Sequence, residues 1–355
     1  MSAVVVVGAG VVGASVAYHL ARKGGEVTLL EQAPSPAAGV TGGSFAWIGN
    51  VGGHWPGGGE DLRPHVLADY QRLEAELPEL AVRWTGSLAW TGSEPEAIGP
   101  GQYLVGRSDI AALEPNFDNP PDQAVHTPTD AGVDPVAMTD ALVRAARRHG
   151  AQVFYKATVV SLRSPGREQG VLSSAGFHSA STVVVAAGVG TAALCRSLHI
   201  DVGIGASPAL LLRVAAPPAS IRTIVAGPEF EVREARDGEL FATMPYVDGQ
   251  SAESAAKAVH STFQRLQSTF RGGSAFRLLD YRVSQRPMPA HGPIAGYVTP
   301  DRSVYVAVMH SAITLAPTVG RLIAEELVSG KPAAELHRCR PRGESVDMHR
   351  HPDPA

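Results

Sequence analysis

Short, wholly apolar runs alternate along the chain with stretches of helical spacing. That alternation predicts strands buried on both faces of a parallel sheet and connected by helices. Val4 to Val7 is a β-branched run without a polar residue. Gly8-Ala9-Gly10-Val11-Val12-Gly13 follows at once, a helix is predicted from about Val11 to Lys23, and Gly24-Gly25 stops it. A second apolar strand, Val27 to Leu30, ends at Glu31, so a strand, a glycine turn, a helix and a strand fit into about 30 residues, the size of a βαβ unit. Thr182 to Ala187, ending in Gly188, and Val304 to Val308 have the same buried character, and Pro317 to Val328 reads as a helix closed by Gly330.

Between these runs the pattern changes. Residues 33–60 read as one long connection rich in Gly, Ser and Pro, broken by Trp47 and Trp55, and long loops in compact domains tend to carry function. Leu67 to Leu80 has helical spacing, Leu88 to Thr91 and Val153 to Leu162 are strand-like, and Asp134-Pro135 opens a helix that Gly150 stops. From about Leu210 to Arg286 the strands look antiparallel: Leu210–Ala215, Thr223–Ala226, then Phe230–Arg236 and Glu239–Met244 joined by the hairpin dipeptide Asp237-Gly238. One amphipathic helix, with Ala256, Val259, Phe263, Leu266 and Phe270 on one face, intervenes. The segment from Arg338 is polar and rich in Arg, His and Pro.

Composition narrows the classes. With 355 residues, 44% hydrophobic and 18% charged, the chain has enough apolar material for a large core and lacks the signature of disorder. A net charge of −4 without a Lys/Arg run excludes a nucleic-acid footprint and leaves a small-molecule partner. Cys195 and Cys339, far apart and outside any CxxC, give neither a disulfide framework nor a metal site. No apolar run reaches the ~20 residues of a membrane helix and no signal-peptide pattern opens the chain, so a cytoplasmic protein is expected.

The glycine turn is the first candidate for chemistry. GxGxxG alone is a weak signal, but here it follows a strand, opens a helix and precedes an acidic residue, Glu31, at the end of the next strand. Glycines let backbone approach a pyrophosphate, the helix N-terminus supplies donors, and Glu31 can accept from a ribose hydroxyl. An acid at position 31 disfavours the 2′-phosphate of NADP. The βαβ unit leaves NAD and FAD both open.

The later segments bear on that choice. Val5-Val6-Val7-Gly8-Ala9-Gly10-Val11-Val12-Gly13, Leu113-Glu114-Pro115 with Asp130-Ala131-Gly132-Val133-Asp134-Pro135, Val183-Val184-Val185-Ala186-Ala187-Gly188, Gln285-Arg286-Pro287-Met288-Pro289 with Gly292-Pro293, and Thr314-Leu315-Ala316-Pro317 occur in that order. With these five pieces the chain, from Val4 to about Gly330, resembles the flavin-dependent D-amino acid oxidase, glycine oxidase and sarcosine oxidase family. The resemblance implies an α/β fold in which a Rossmann-type FAD-binding domain (1–50, 135–209 and 286–335) is interleaved with an antiparallel-sheet substrate domain (51–134 and 210–285), followed by a disordered tail (336–355).

It also implies roles. Gly8, Gly10, Val11, Val12, Gly13, Glu31 and Gln32 would lie at the ADP moiety of FAD, and Thr41, Gly43 and Ser44 in the loop passing the pyrophosphate. Val159, Ala187 and Gly188 would line the dinucleotide, and Ala312, Ile313, Thr314 and Leu315 would run past the flavin ring. A helix starting near residue 315 would aim N–H groups at the flavin edge where negative charge develops on reduction. Arg286 would hold a substrate carboxylate, its fork of donors matching that group, the alternative being a surface ion pair. His310 is either a substrate contact or a strand-end histidine satisfied by backbone. Tyr246, Trp47 and His54 are further substrate candidates that could equally be core or lid packing.

The implied reaction is oxidation of the C–N bond of an amino acid or N-alkyl amino acid. Freeing the amine from its proton at pH 7 costs ~4.6 kcal/mol, which an apolar pocket lowers by disfavouring the ammonium. Hydride then passes to flavin N5, leaving an imine that water hydrolyses, and O2 is reduced to H2O2. No side-chain acid or base is required. The chain departs from its covalently flavinylated relatives: Ala290 to Thr299 has no cysteine and Ser44 to Ile48 no histidine, so noncovalent FAD is implied. None of Lys23, Lys156, Lys257 and Lys331 matches the lysine with which sarcosine oxidases activate oxygen, so a dehydrogenase with another acceptor stays open. A partner-dependent FAD-binding subunit, or a homo-oligomer, stays open as well.

Overall fold

The computed structural model describes residues 3–51, 55–91, 98–163, 169–246 and 252–341. Val4–Val7 is the centre of a six-stranded sheet, ordered Ile294–Tyr297, Val304–Val308, Thr182–Val185, Val4–Val7, Val27–Leu30, Gln152–Phe154. All its neighbours are parallel except the edge strand Ile294–Tyr297, which runs against Val304–Val308. The unbroken valine run has a direct cause, since successive side chains leave opposite faces and both faces are covered. Val4 and Val6 join the helices Val11–Arg22, Pro135–Arg148 and Ala312–Ser329 in one core, while Val5 and Val7 join Val183, Val185, Val304 and Val306 in a second. That second core is roofed by a three-stranded sheet, Val159–Arg163, Gly170–Ser173 and Gly176–Ser179.

The other half is an eight-stranded sheet in the order Arg277–Pro289, Ile204–Ala215, Glu239–Thr243, Glu231–Arg236, Ile224–Ala226, Ser87–Ala89, Gln123–Thr127, Tyr103–Gly106. Its pairings are antiparallel apart from Ile224–Ala226 with Ser87–Ala89. One face packs on the helix Ala252–Thr269 through Val259, Leu266 and Leu212. Arg233 pins the other face to the first half. It is 1% exposed, its Nε donates to Phe45 O at 2.7 Å and its Nη2 to Val133 O at 2.7 Å. Burial pushes this guanidinium down to about 9, and the rings of Phe45 and Phe241 stack against it at 5.4 and 5.3 Å. Glu114, from Leu113-Glu114-Pro115, is buried too and accepts from Arg222 N, Thr223 N and Thr223 Oγ1, so that motif ties the helix Arg107–Leu113 to the sheet.

Several elements differ from the sequence reading. Pro317 does not start the last helix, which begins five residues earlier at Ala312. Proline lacks the N–H that would bond Ile313 O, and the buried Tyr70 hydroxyl donates to that carbonyl instead at 2.6 Å. Val153–Leu162 is two strands in different sheets, divided where Lys156 takes φ +57 and Ala157 N donates to Glu31 O. The helix predicted over 67–80 is Gly59–Glu76, ended by Pro78, and its Leu62, Val66, Tyr70 and Leu73 belong to the core of the parallel-sheet half rather than to the substrate half. The connection over 33–60 holds a helical turn, Val40–Gly43, and a strand, Trp47–Ile48. The segment expected to be disordered from 336 is described through 341, with Leu336 fully buried and Arg340 clasping Glu326 at 2.7 and 3.1 Å.

Candidate active site

The glycine turn sits at the carboxyl end of Val4–Val7. Gly8 takes φ +101, and a Cβ there would lie 2.6 Å from Ala186 O; one on Gly13 would lie 1.9 Å from Gly8 O. These two glycines let turn, helix and neighbouring strand close on one another. Gly10 is different: its φ of −71 suits any residue, and a Cβ would meet only Thr41 Oγ1 at 3.2 Å. Behind it Val11 N donates to Thr41 Oγ1 at 3.2 Å, and the helix carrying Val11, Val12 and Gly13 has neither an acidic residue in its first turn nor a side-chain cap.

Glu31, 8% exposed, is fixed beside this turn. Its Oε2 accepts from Ala9 N at 2.7 Å and its Oε1 from Ala33 N at 2.9 Å. A carboxylate has about four acceptor sites, so Glu31 retains acceptors for a diol. Gln32 is exposed next to it. Ala187 and Gly188 end the strand alongside Gly8, and Val159 packs into the same cluster as Ala187. Gly43 lies where a Cβ would meet Ser284 Oγ at 2.3 Å, so the loop of Thr41, Gly43 and Ser44 is seated against the strand Arg277–Pro289; Arg282 of that strand donates to Ala38 O. A glycine at the turn, a helix N-terminus free of acidic residues and a pre-oriented acid fit a dinucleotide.

The helix Ala312–Ser329 points its own uncapped N-terminus, without acidic residues, toward the junction of the halves. Ile313, Thr314 and Leu315 are buried, Ala312 is half-buried, and Thr314 Oγ1 donates to Trp47 O at 3.1 Å. Trp47 is thereby placed at this helix end, with its ring 6.5 Å from Phe45 and its Nε1 donating to Asp130 Oδ2 at 2.9 Å. Asp130 also accepts from Ser87 Oγ at 2.7 Å.

Burial pushes the Asp130 carboxyl up to about 6, against hydrogen bonds and the Arg63 charge, which pull it down. A carboxyl whose folded value exceeds its unfolded one supports the fold below the unfolded value and loses that support as pH rises through the folded value. Asp130→Asn keeps an acceptor for both donors. Its thermal midpoint should therefore exceed that of the parent above pH 7, by the equivalent of about 1–3 kcal/mol. The difference should close as pH falls toward 4, and melting curves across pH 4–8 check it.

Arg286 lies on the face of its sheet turned toward the cofactor half. Its Nη2 donates to Ser207 Oγ at 2.9 Å and Pro208 O at 3.1 Å, while Nε is buried without a partner. Among the described residues it has no ion pair within 4 Å, so it is not the surface salt bridge that was its alternative. His310 is near enough that partial burial and the Arg286 charge hold its imidazole below the usual value, keeping it neutral at pH 7. The structure thus gathers Arg286, His310, Trp47 and the helix N-terminus. Tyr246 is not brought in; it packs in the cluster on the opposite face, with the helix Ala252–Thr269. His54 lies outside the described residues. A residue absent from the sequence reading is Glu231, on the same face as Arg286; its signal was strand alternation, an acid in phase with Arg233.

A parallel-sheet half with a glycine turn and a fixed acid, apposed to an antiparallel half whose Arg286 has no ion pair among the described residues, fits a dinucleotide-binding enzyme. Residues 3–326 match the DAO family, described as FAD dependent oxidoreductase, and the chain belongs to that family, whose cofactor is FAD. It is 31% identical over 216 residues to glycine oxidase of Bacillus licheniformis, covering 56% of this chain and 57% of that protein. It is 27% identical over 216 residues to mitochondrial dimethylglycine dehydrogenase of Rattus norvegicus, covering 56% of this chain and 24% of that protein. The match thus spans little more than half of the first relative and about a quarter of the second. Glycine oxidase of Geobacillus kaustophilus superposes with a TM-score of 0.83 at 20% identity, over 96% of this chain and 99% of that one. Iminodiacetate oxidase of Chelativorans sp. BNC1 gives 0.79 at 22%, over 96% and 100%. At these identities the superpositions speak for the fold. No described helix is long and apolar enough to cross a membrane.

Proposed function

We propose that the protein is an amino acid oxidase that cleaves the C–N bond of an amino acid or N-alkyl amino acid, with noncovalent FAD and O2 as acceptor, in the cytoplasm. The observation that carries this reading is Arg286: a guanidinium with a buried, unpartnered Nε and no carboxylate within 4 Å among the described residues, aimed at the junction where the flavin-edge helix begins. Such a group is complementary to a carboxylate supplied from outside. Bound FAD would supply the two-electron acceptor, with O2 and two protons taking the electrons on as H2O2. Gly8, Gly10, Gly13, Glu31 and Thr41 would hold its ADP part, and Ala312, Ile313, Thr314 and Leu315 its ring. The chain's own work is then positional. Arg286 fixes the carboxylate, Phe45 and Trp47 furnish apolar walls that favour the neutral amine, and neutral His310 adds no second positive charge.

The test is an anaerobic panel of amino acids added to the holoenzyme and scored by loss of the flavin absorption, followed by air. Bleaching by an amino acid and recolouring within seconds supports an oxidase. Bleaching with recolouring over many minutes makes it a dehydrogenase with another acceptor. Failure of every amino acid to bleach the flavin overturns the proposal.

A further inference from the structure

Glu231 pairs with Thr243, Thr243 with Leu211, and Leu211 with Arg282, in register across four neighbouring strands. Side chains alternate along each strand, so Glu231, Arg233, Thr243, Leu211, Arg282, Ser284 and Arg286 share one face. It is the face turned toward the cofactor half, since Arg233 reaches Phe45 O, Arg282 reaches Ala38 O and Leu211 clusters with Phe45. Glu231 is half-buried there, and its carboxylate makes no hydrogen bond or ion pair among the described residues. Burial raises its carboxyl above the usual range, and the charge it feels in opposition is that of Arg286. An unpaired acid in such a place costs stability unless something brought from outside neutralises it.

The register also fixes a scale. Arg286 is three strands across and four residues along from the row of Glu231, or roughly 15 Å by about 13 Å at ordinary strand spacings. The two long side chains close part of that, leaving a gap on the order of 8 Å between the charged ends. The nitrogen on the α-carbon of a substrate whose carboxylate lies on Arg286 falls short of Glu231. A positive group at the end of an extended side chain reaches it.

We propose that Glu231 is the specificity residue for a distal cation, so that the preferred substrates are amino acids carrying an amino or guanidino group several bonds from the α-carbon. This rests on the amino acid reading above and narrows it to the basic class. The experiment compares matched probes on the holoenzyme, lysine against norleucine and arginine against citrulline, of either hand, by calorimetric titration and by flavin bleaching. The parent should bind lysine at least about 30-fold more tightly than norleucine. Glu231→Gln should bring that ratio to within about threefold, and Glu231→Asp should retain part of it. Unchanged flavin content and a thermal midpoint no lower than the parent's would show that the variants fold.

A parent that prefers norleucine, or a ratio that survives Glu231→Gln, overturns the assignment. Titration and bleaching separate the two proposals. A lysine preference abolished by Glu231→Gln without bleaching sustains the clamp and sinks the oxidation. Bleaching without such a preference does the reverse.

Discussion

Arg286→Ala should raise KM by at least about 30-fold for whichever amino acid bleaches the flavin, while the protein keeps its flavin and its melting temperature. Among the described residues the fold asks little of this guanidinium: contacts to Ser207 Oγ and Pro208 O, and a buried Nε without an acceptor. Removing one member of a desolvated charge pair costs ~2–5 kcal/mol, a factor of about 30 to several thousand in affinity. Arg286→Lys should fall between, at about 10–30-fold, because the charge survives but the two-donor fork does not. Steady-state kinetics on the three proteins decides it, and a KM unmoved in Arg286→Ala would remove this residue from the site. A merely structural role predicts the opposite split, with loss of stability and unchanged KM in whatever remains folded.

How far the site could be read in advance depended on whether its parts were local in the chain. The glycine turn and Glu31 were legible because 27 consecutive residues, Val5 to Glu31, build a complete binding element. The valine runs gave the sheet for the same reason, each strand recording in its own residues that both of its faces are covered. The start of the helix at Ala312 was not legible. Pro317 looks like a first helical residue, and only a hydroxyl from Tyr70, 243 positions from Ile313, makes it tolerable in the second turn.

Tyr246 and Glu231 show the same limit on the substrate side. Both lie on or beside strands of one sheet, and which of them faces the cofactor is decided by registers set across three strand pairings. A tyrosine attracts attention and an acid in a strand does not, yet the register sends the tyrosine to the helix-covered face and the acid to the side of Arg286. Family resemblance supplied Arg286 and the flavin-edge turn; strand alternation was needed for the residue beside them.

Gly10→Val should abolish stable FAD binding, weakening it by at least 100-fold, and yet leave the apo protein folded, with far-ultraviolet circular dichroism and melting temperature close to those of the parent apo protein. The reasoning is by contrast with its neighbours. A side chain on Gly13 would drive its Cβ to 1.9 Å from Gly8 O, and one on Gly8 would meet Ala186 O at 2.6 Å in a left-handed backbone, so both glycines are demanded by the polypeptide itself. Their replacement should cost stability with or without cofactor and would say nothing about a ligand. Gly10 has φ −71 and ψ 175, ordinary for any residue, and a Cβ there touches only Thr41 Oγ1 at 3.2 Å. Conformation does not account for a glycine at this position, and packing asks only that Thr41 give by a few tenths of an ångström. The proposed reason is a group that must come as close to the helix N-terminus as backbone allows, as a pyrophosphate passing this turn would. Flavin content after purification with excess FAD, set beside the two melting curves, measures both halves of the expectation. A yellow Gly10→Val protein would mean that the cofactor does not pass this turn.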